Sequence, residues 1–214
     1  MSRKGKTVLT IGHSNHSIDT FISILKANKV EVVVDVRSHP YSKYVSHFNS
    51  SVLKPVLDLN RIKYLFLGKE LGGQPEGSEF YDEEQHVLYN KVAESRLYNE
   101  GLLRLERGIN MFTVAVMCSE ENPANCHRRL LISRVLYDRG FNIIHVRGDG
   151  NQLLEQALQD EENTCVQLSL FDDQEVNQWR SIQSVSQRKL QKSSSEYLER
   201  SVMDFSGSNV AESQ

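Results

Sequence analysis

The chain has 214 residues, 39% of them apolar and 25% charged, which suits one globular domain with a true core and room for an appendage. Its 25 Lys and Arg against 28 Asp and Glu leave a formal net charge of −3, which excludes a protein that coats nucleic acid by bulk positive charge but not one with a local basic groove. No run approaches the roughly 18 consecutive apolar residues of a membrane span, and MSRKGKTVLTIGHS reads as a basic tip entering a strand instead of a signal peptide, so a cytoplasmic protein without membrane contact is expected.

In chain order, Val8 to Ile11 is a short apolar run, and Ile18, Phe21, Ile22 and Leu25 follow at helical spacing behind Ser17 as N-cap. VEVVVDVR, residues 30 to 37, is nearly all β-branched, the pattern of a strand buried on both faces of a parallel sheet. A polar loop, SHPYSKYVSHFN, leads to a short helix over Ser51 to Asn60 and a third strand, IKYLFLG, at 62 to 68. KELGGQPEGSEFYD is too glycine-rich for regular structure. Helices are predicted over Glu83 to Ala93 and Glu94 to Glu106, with Gly108 as C-cap, then a buried fourth strand, MFTVAVMC, at 111 to 118. A helix from Cys126 to Arg139, a fifth strand NIIHVRG at 142 to 148 and one more helix within 151 to 160 complete the pattern. Strands joined by helices of this length imply an α/β fold of Rossmann-like, three-layer type, with a mostly parallel sheet of about five strands and helices on both faces.

The expected division is an α/β domain at 1–160 and a largely irregular tail at 161–214. The tail is rich in Gln, Ser, Asp and Glu and poor in large apolar residues, a composition that cannot offset the entropy of ordering.

In an open α/β sheet the working residues lie just past the carboxyl ends of the strands. There the sequence places His13 and Ser14 after the first strand, Asp35, Arg37 and Ser42 at and after the second, Gly72 and Gly73 after the third, and Cys118 at the end of the fourth. The loop SEENPAN then runs to Cys126, His127 and Arg128. A thiol at a helix start beside arginines is lowered in pKa, so Cys126 is either a nucleophile or a small buried residue at a helix end. Asp35 and Arg37, two apart on an extended chain, face the same way and are either an ion pair bracing the loop or part of a site. His13 and His127 are candidate acid or base groups. Gly72 and Gly73 would let a backbone approach a phosphate or sugar. Cys118 and Cys126 are eight apart with no Cys-x-x-C pair, so no metal is expected, and the absence of a Walker A sequence or a G-x-G-x-x-G after a strand gives no sign of a nucleotide cofactor. Three cysteines, counting Cys165, are an odd number without an export signal, which argues against a disulfide framework.

TIGHS, VDVRSHPYSKY, LGKELGG, VMCSEENPANCHR and a strand ending in HVRG, in that order, resemble the bacterial and archaeal family known as domain of unknown function four-eight-eight, over about residues 7 to 150. The resemblance implies that His13, Ser14, Asp35, Arg37, Ser42, Gly72, Gly73, Cys118, Cys126, His127 and Arg128 carry the family signature. It implies no reaction. A more distant likeness to rhodanese and cysteine-phosphatase folds fails at the Cys-x5-Arg loop, which would demand Arg where Ala124 stands.

A second resemblance lies in the tail. Gln167-Leu168-Ser169-Leu170-Phe171 is similar to the pentapeptide by which bacterial replication and repair proteins dock on the DNA sliding clamp, with Gln167 to hydrogen-bond and Leu168, Leu170 and Phe171 as apolar anchors. The same residues could instead fold back onto the domain.

The leading expectation is an enzyme of nucleic-acid or nucleotide metabolism, a hydrolase or transferase on an anionic substrate. His13, Asp35, Cys126 and His127 would be the acid, base or nucleophile. Ser14, Arg37, Ser42, Gly72, Gly73, Cys118 and Arg128 would hold the substrate. The alternative is a non-catalytic module that binds a nucleotide, a modified base or a DNA end in the same place.

Overall fold

The two densest runs of β-branched and small apolar residues become neighbours at the middle of the sheet. Val32–Asp35 (β2) pairs in parallel with Val114–Cys118 (β4), and every residue of both is buried. Thr7–Gly12 (β1) lies on the other side of β4, Lys63–Phe66 (β3) on the outer side of β2, and Asn142–Val146 (β5) beyond β1. Gln152–Leu154 (β6) closes the far edge, antiparallel to β5, so the six-stranded order is β3-β2-β4-β1-β5-β6. The computed structural model describes residues 5–160 and 179–185.

Helices cover both faces, giving the α/β, Rossmann-like arrangement the alternation predicts. Ile18–Ala27 (α1) and Ser50–Leu59 (α2) bury Phe21, Leu25, Leu53 and Leu57 against Leu9, Ile11 and Val33 on one face. The opposite face packs against Tyr89–Glu94 (α4), Arg96–Met111 (α5) and the helix after β4, through residues such as Tyr98, Leu102, Leu105 and Leu136. Ser17 caps α1 by accepting from the Thr20 amide at 3.1 Å. The glycine-rich stretch after β3 holds a single helical turn, Gly68–Leu71 (α3), and a 3-10 turn at Ser78–Phe80.

Several expectations about elements change. The helix expected to stop at Gly108 runs on to Met111, because burying Ile109 outweighs the roughly 1 kcal/mol cost of a helical glycine. Residues 83–88 are not helical: Tyr81 bridges Val87, and α4 starts only at Tyr89. Within 151–160 only 155–160 is helical. Before it, an Asp149-Gly150 turn sends β6 back along β5, with Gly150 at φ 85° and the Asp149 carboxylate accepting from the Asn151 amide at 2.9 Å.

The helix expected from Cys126 begins at Arg128, after a 3-10 turn at Pro123–Asn125. Its first part, Arg128–Ser133, is π-helical and continues into Arg134–Asp138 (α6). Ser133 Oγ donates to the Arg128 carbonyl at 2.8 Å, a side-chain bond across the wider winding.

Part of the stretch read as tail packs on the body. Trp179 donates its indole N–H to the Leu130 carbonyl at 2.7 Å and stacks beneath Arg134, Arg180 bridges Leu88, and Val185 is buried. A lone tryptophan in a polar stretch was the available signal. Gln167, Leu168, Leu170, Phe171 and Cys165 lie outside the described residues. No helix among the described residues is long and apolar enough to cross a membrane.

Candidate functional site

Parallel register brings the carboxyl ends of β1, β2 and β4 together, with Gly12 opposite Cys118 and Asp35 opposite Met117. Pairing outlasts the strands: the His13 amide donates to the Cys118 carbonyl and the Ser14 amide to the Ser119 carbonyl, each at 2.9 Å. A side chain at Gly12 would collide with the Glu120 carbonyl, so glycine is what lets the loop after β4 cross the end of β1. Ser14 then turns the chain at φ 44°.

The first cluster is built on Asp35, which is 0% exposed. Its carboxylate receives Arg37 Nε at 2.9 Å, Arg37 Nη2 at 2.6 Å, the Arg37 amide at 3.1 Å and the Tyr64 hydroxyl at 2.7 Å. Arg37 also donates through Nη2 to the Phe48 carbonyl at 2.9 Å and through Nη1 to His13 Nε2 at 3.0 Å. Arginine can only donate, so His13 Nε2 accepts and Nδ1 carries the proton, donated to the Ser14 carbonyl at 2.8 Å. Burial, with Arg37 second, lowers the His13 pKa to about 4, and its ring stacks on Phe48 at 4.3 Å. Burial and the neighbouring Asp35 raise the Tyr64 hydroxyl.

The second cluster is beside it. Cys118 Sγ lies 3.7 Å and Cys126 Sγ 3.9 Å from His127 Nδ1. These three atoms are all within 4.8 Å of one another. His127 Nε2 donates to the Val36 carbonyl at 3.1 Å, which turns Nδ1 toward both sulfurs. Burial would raise the Cys126 thiol, but hydrogen bonds from Cys118 and His127 and the charge of Arg128 hold it well below the usual thiol range. Cys118, through its hydrogen bond to Cys126 and through burial, is raised. Arg128 is itself 0% exposed; its two terminal nitrogens donate to the Glu120 and Glu121 carbonyls, and its Nε is buried without a hydrogen-bond partner.

The glycine pair closes over this cluster. A Cβ on Gly73 would sit 2.7 Å from His127 Cγ and Nδ1, and one on Gly72 would meet Ser38 Oγ, which accepts from the Gln74 amide at 2.9 Å. Ser42 organises the loop after β2: its Oγ accepts from the Tyr44 amide at 3.2 Å, and its own amide donates to Asn49 Oδ1 at 2.6 Å. That loop exposes Tyr41 by 66% and Tyr44 by 98%, with Lys43 between them. A cavity of about 550 Å³ opens at the opposite, amino edge of the sheet, among Lys6, Lys29, Glu31 and Thr113.

His13, Arg37, Cys118, Cys126, His127 and Arg128 are thus brought to one edge, and Gly73 with them. Several residues that sequence reasoning missed complete the arrangement. Tyr64, in β3, and Phe48, in the 3-10 turn at Ser46–Phe48 before α2, flank the Asp35 cluster. Further along, buried His145 accepts from Thr10 Oγ1 at 2.7 Å and donates to Glu155 at 2.7 Å, while Glu155 also receives Arg129 Nε at 3.1 Å. Glu121 joins His16 at 3.0 Å and the Gly148 amide at 2.8 Å at the rim.

The model of the family described as Domain of unknown function DUF488 matches residues 17–135, which include Asp35, Arg37, Ser42, Gly72, Gly73, Cys118, Cys126, His127 and Arg128. Neither a curated protein nor a solved structure matches the chain.

Proposed function

We propose a function from the premise that the chain belongs to the DUF488 family: it is an enzyme of hydrolase or transferase type, acting on an anionic, nucleotide-like substrate at the carboxyl edge of the sheet. The observation that carries this reading is the convergence of the Cys118 and Cys126 sulfurs on Nδ1 of His127. Buried groups that serve only structure are usually satisfied by protein partners. The terminal guanidinium nitrogens of Arg37 and Arg128 are occupied by protein acceptors. Their contribution to an anion is therefore positive potential and positioning. Exposed Tyr41 and Tyr44 around Lys43 support the nucleotide part of the reading, since aromatic faces with a nearby cation are how single-stranded bases are held.

The test is a panel of single-stranded DNA, RNA and free nucleotides offered to the parent chain, Cys126→Ser and Tyr44→Ala. Turnover lost in Cys126→Ser and weakened in Tyr44→Ala supports the enzyme. Binding without turnover by the parent supports the non-catalytic module, and neither binding nor turnover removes the reading. Docking of Gln167 to Phe171 on a sliding clamp is a separate proposal that rests on the pentapeptide alone. Its check is whether Leu170→Ala/Phe171→Ala abolishes binding to purified clamp while the unfolding midpoint stays put.

A further inference from the structure

A tetrahedral zinc ion has Zn–S bonds of about 2.3 Å and Zn–N bonds of about 2.0–2.1 Å, which sets ligand-to-ligand edges of about 3.8 Å between sulfurs and about 3.6 Å between sulfur and nitrogen. The sulfur-to-nitrogen separations here are 3.7 Å and 3.9 Å. All three ligand atoms lie within 4.8 Å of one another. The two sulfur-to-nitrogen edges need only a few tenths of an ångström of adjustment. From this we infer that Cys118, Cys126 and His127 bind one soft divalent metal ion of the zinc class, through the two Sγ atoms and Nδ1, with the fourth position open.

Three further features of the same residues fit a ligand set. His127 donates its other ring N–H to the Val36 carbonyl at 3.1 Å. That is the outer contact which fixes the tautomer and orientation of a metal-binding histidine. Cys118 and Cys126 are buried, and His127 is half-buried, so a metal could be reached from one side while the sulfurs are shielded from bulk water. Gly73 crosses close to His127, where any side chain would strike the ring. Charge also balances. Two thiolates and a neutral imidazole cancel a divalent cation, so Arg128 beside them faces a neutral unit.

The low expectation drawn from spacing counted neighbours along the chain, eight residues apart and without a Cys-x-x-C pair. The fold instead brings the end of β4 against the turn that precedes Arg128. Three protein ligands and a vacant fourth position are the pattern of catalytic zinc, which activates water or polarises an oxygen. The inference thus rests on the proposed enzymatic reading of this centre and specifies its metal class.

The full-length chain is to be loaded with Zn²⁺ or Co²⁺, passed over a desalting column, and assayed for metal content, visible absorption and thermal midpoint. Expected are one metal ion per chain, the intense visible bands of tetrahedral Co²⁺ with sulfur-to-cobalt charge transfer, and a higher midpoint than after chelation. Cys118→Ser, Cys126→Ser and His127→Asn should each lose the bands, while Cys165→Ser keeps them. Should those variants fail to fold, the parent chain still decides: bound Zn²⁺ should protect Cys118 and Cys126 from iodoacetamide. No retained metal, with both thiols alkylated equally with and without Zn²⁺, overturns the inference, as does a Cys118–Cys126 disulfide that forms whatever metal is supplied. Turnover that needs Cys126 but no metal would sink the metal site and leave the enzyme reading. Metal bound through these residues without any turnover would do the reverse.

Discussion

Two polar clusters sit side by side at the carboxyl edge of the sheet, and they differ in how closely their groups are bonded. Around Asp35, the carboxylate and the Arg37 guanidinium are met by Tyr64, Phe48 and His13, and the His13 ring nitrogens are both engaged. Around His127, two sulfurs and one ring nitrogen face one another through long sulfur contacts of 3.7 Å and 3.9 Å. Both clusters are rich in the residue types of catalysis, but only the first is closed by short bonds to a carboxylate. The Asp35 cluster has the bonding of a brace, and the contrast shows why residue type alone does not separate the two kinds of cluster.

The sharpest way to break the contrast is to remove the brace. Asp35→Ala leaves Arg37 buried without its counter-charge, and loss of one partner of a buried pair costs about 3–5 kcal/mol. Urea unfolding should register a loss of that size, and a loss below about 1 kcal/mol would mean that the cluster is not structural. Next in size is Gly73→Ala, which drives a methyl group into the His127 ring; overpacking of this kind costs about 1–3 kcal/mol. It should also disturb the His127 contact with the Val36 carbonyl and so weaken cobalt binding. An unchanged cobalt spectrum would show that the glycine loop does not govern the ring.

A gentler probe is acid. His13 titrates near 6.5 when unfolded but only near about 4 in the fold. The neutral ring therefore supports the fold fully above pH 6.5. As the pH falls toward 4, the unfolded chain takes up a proton that the folded chain refuses, and stability drops by about 1.4 kcal/mol per pH unit. Buried His145, also lowered, adds in the same direction. Unfolding measured across that window should show a shallower decline for His13→Asn than for the parent, and parallel curves would mean that His13 is already charged. The smallest effect on the fold belongs to Tyr44→Ala, because the ring is almost wholly in water. The unfolding midpoint should not move, while affinity for single-stranded DNA or RNA falls. Undiminished affinity would remove the loop after β2 from the proposed nucleotide contact.

Legibility in the sequence followed local chemistry. β-branched runs located β2 and β4, and the alternation with helices located the parallel sheet, because both signals depend on neighbouring residues. The same logic found His13, Arg37, Cys118, Cys126, His127 and Arg128, since the end of a strand and the start of a helix are local features. What escaped was long-range. That Tyr64 would reach Asp35, or that Trp179 would dock on Leu130, depends on separations of 29 and 49 residues. The sixth strand escaped for a different reason: Gln152, Leu153 and Leu154 have no strand pattern of their own, and the edge of β5 supplies their partner. The π-helical start at Arg128 likewise left no mark in residue type.

That start has a mechanical consequence. Within the wide helical turn, the Leu130 carbonyl receives the indole N–H of Trp179. Leu130 is two residues beyond Arg128 and three beyond His127. A chain shortened at residue 160 would keep every strand of the sheet and every residue of both clusters, yet it would unbolt the helix from which Arg128 reaches the loop after β4. Residues 179–185 are therefore a clasp on this helix, held through Trp179 at Leu130 and Arg134.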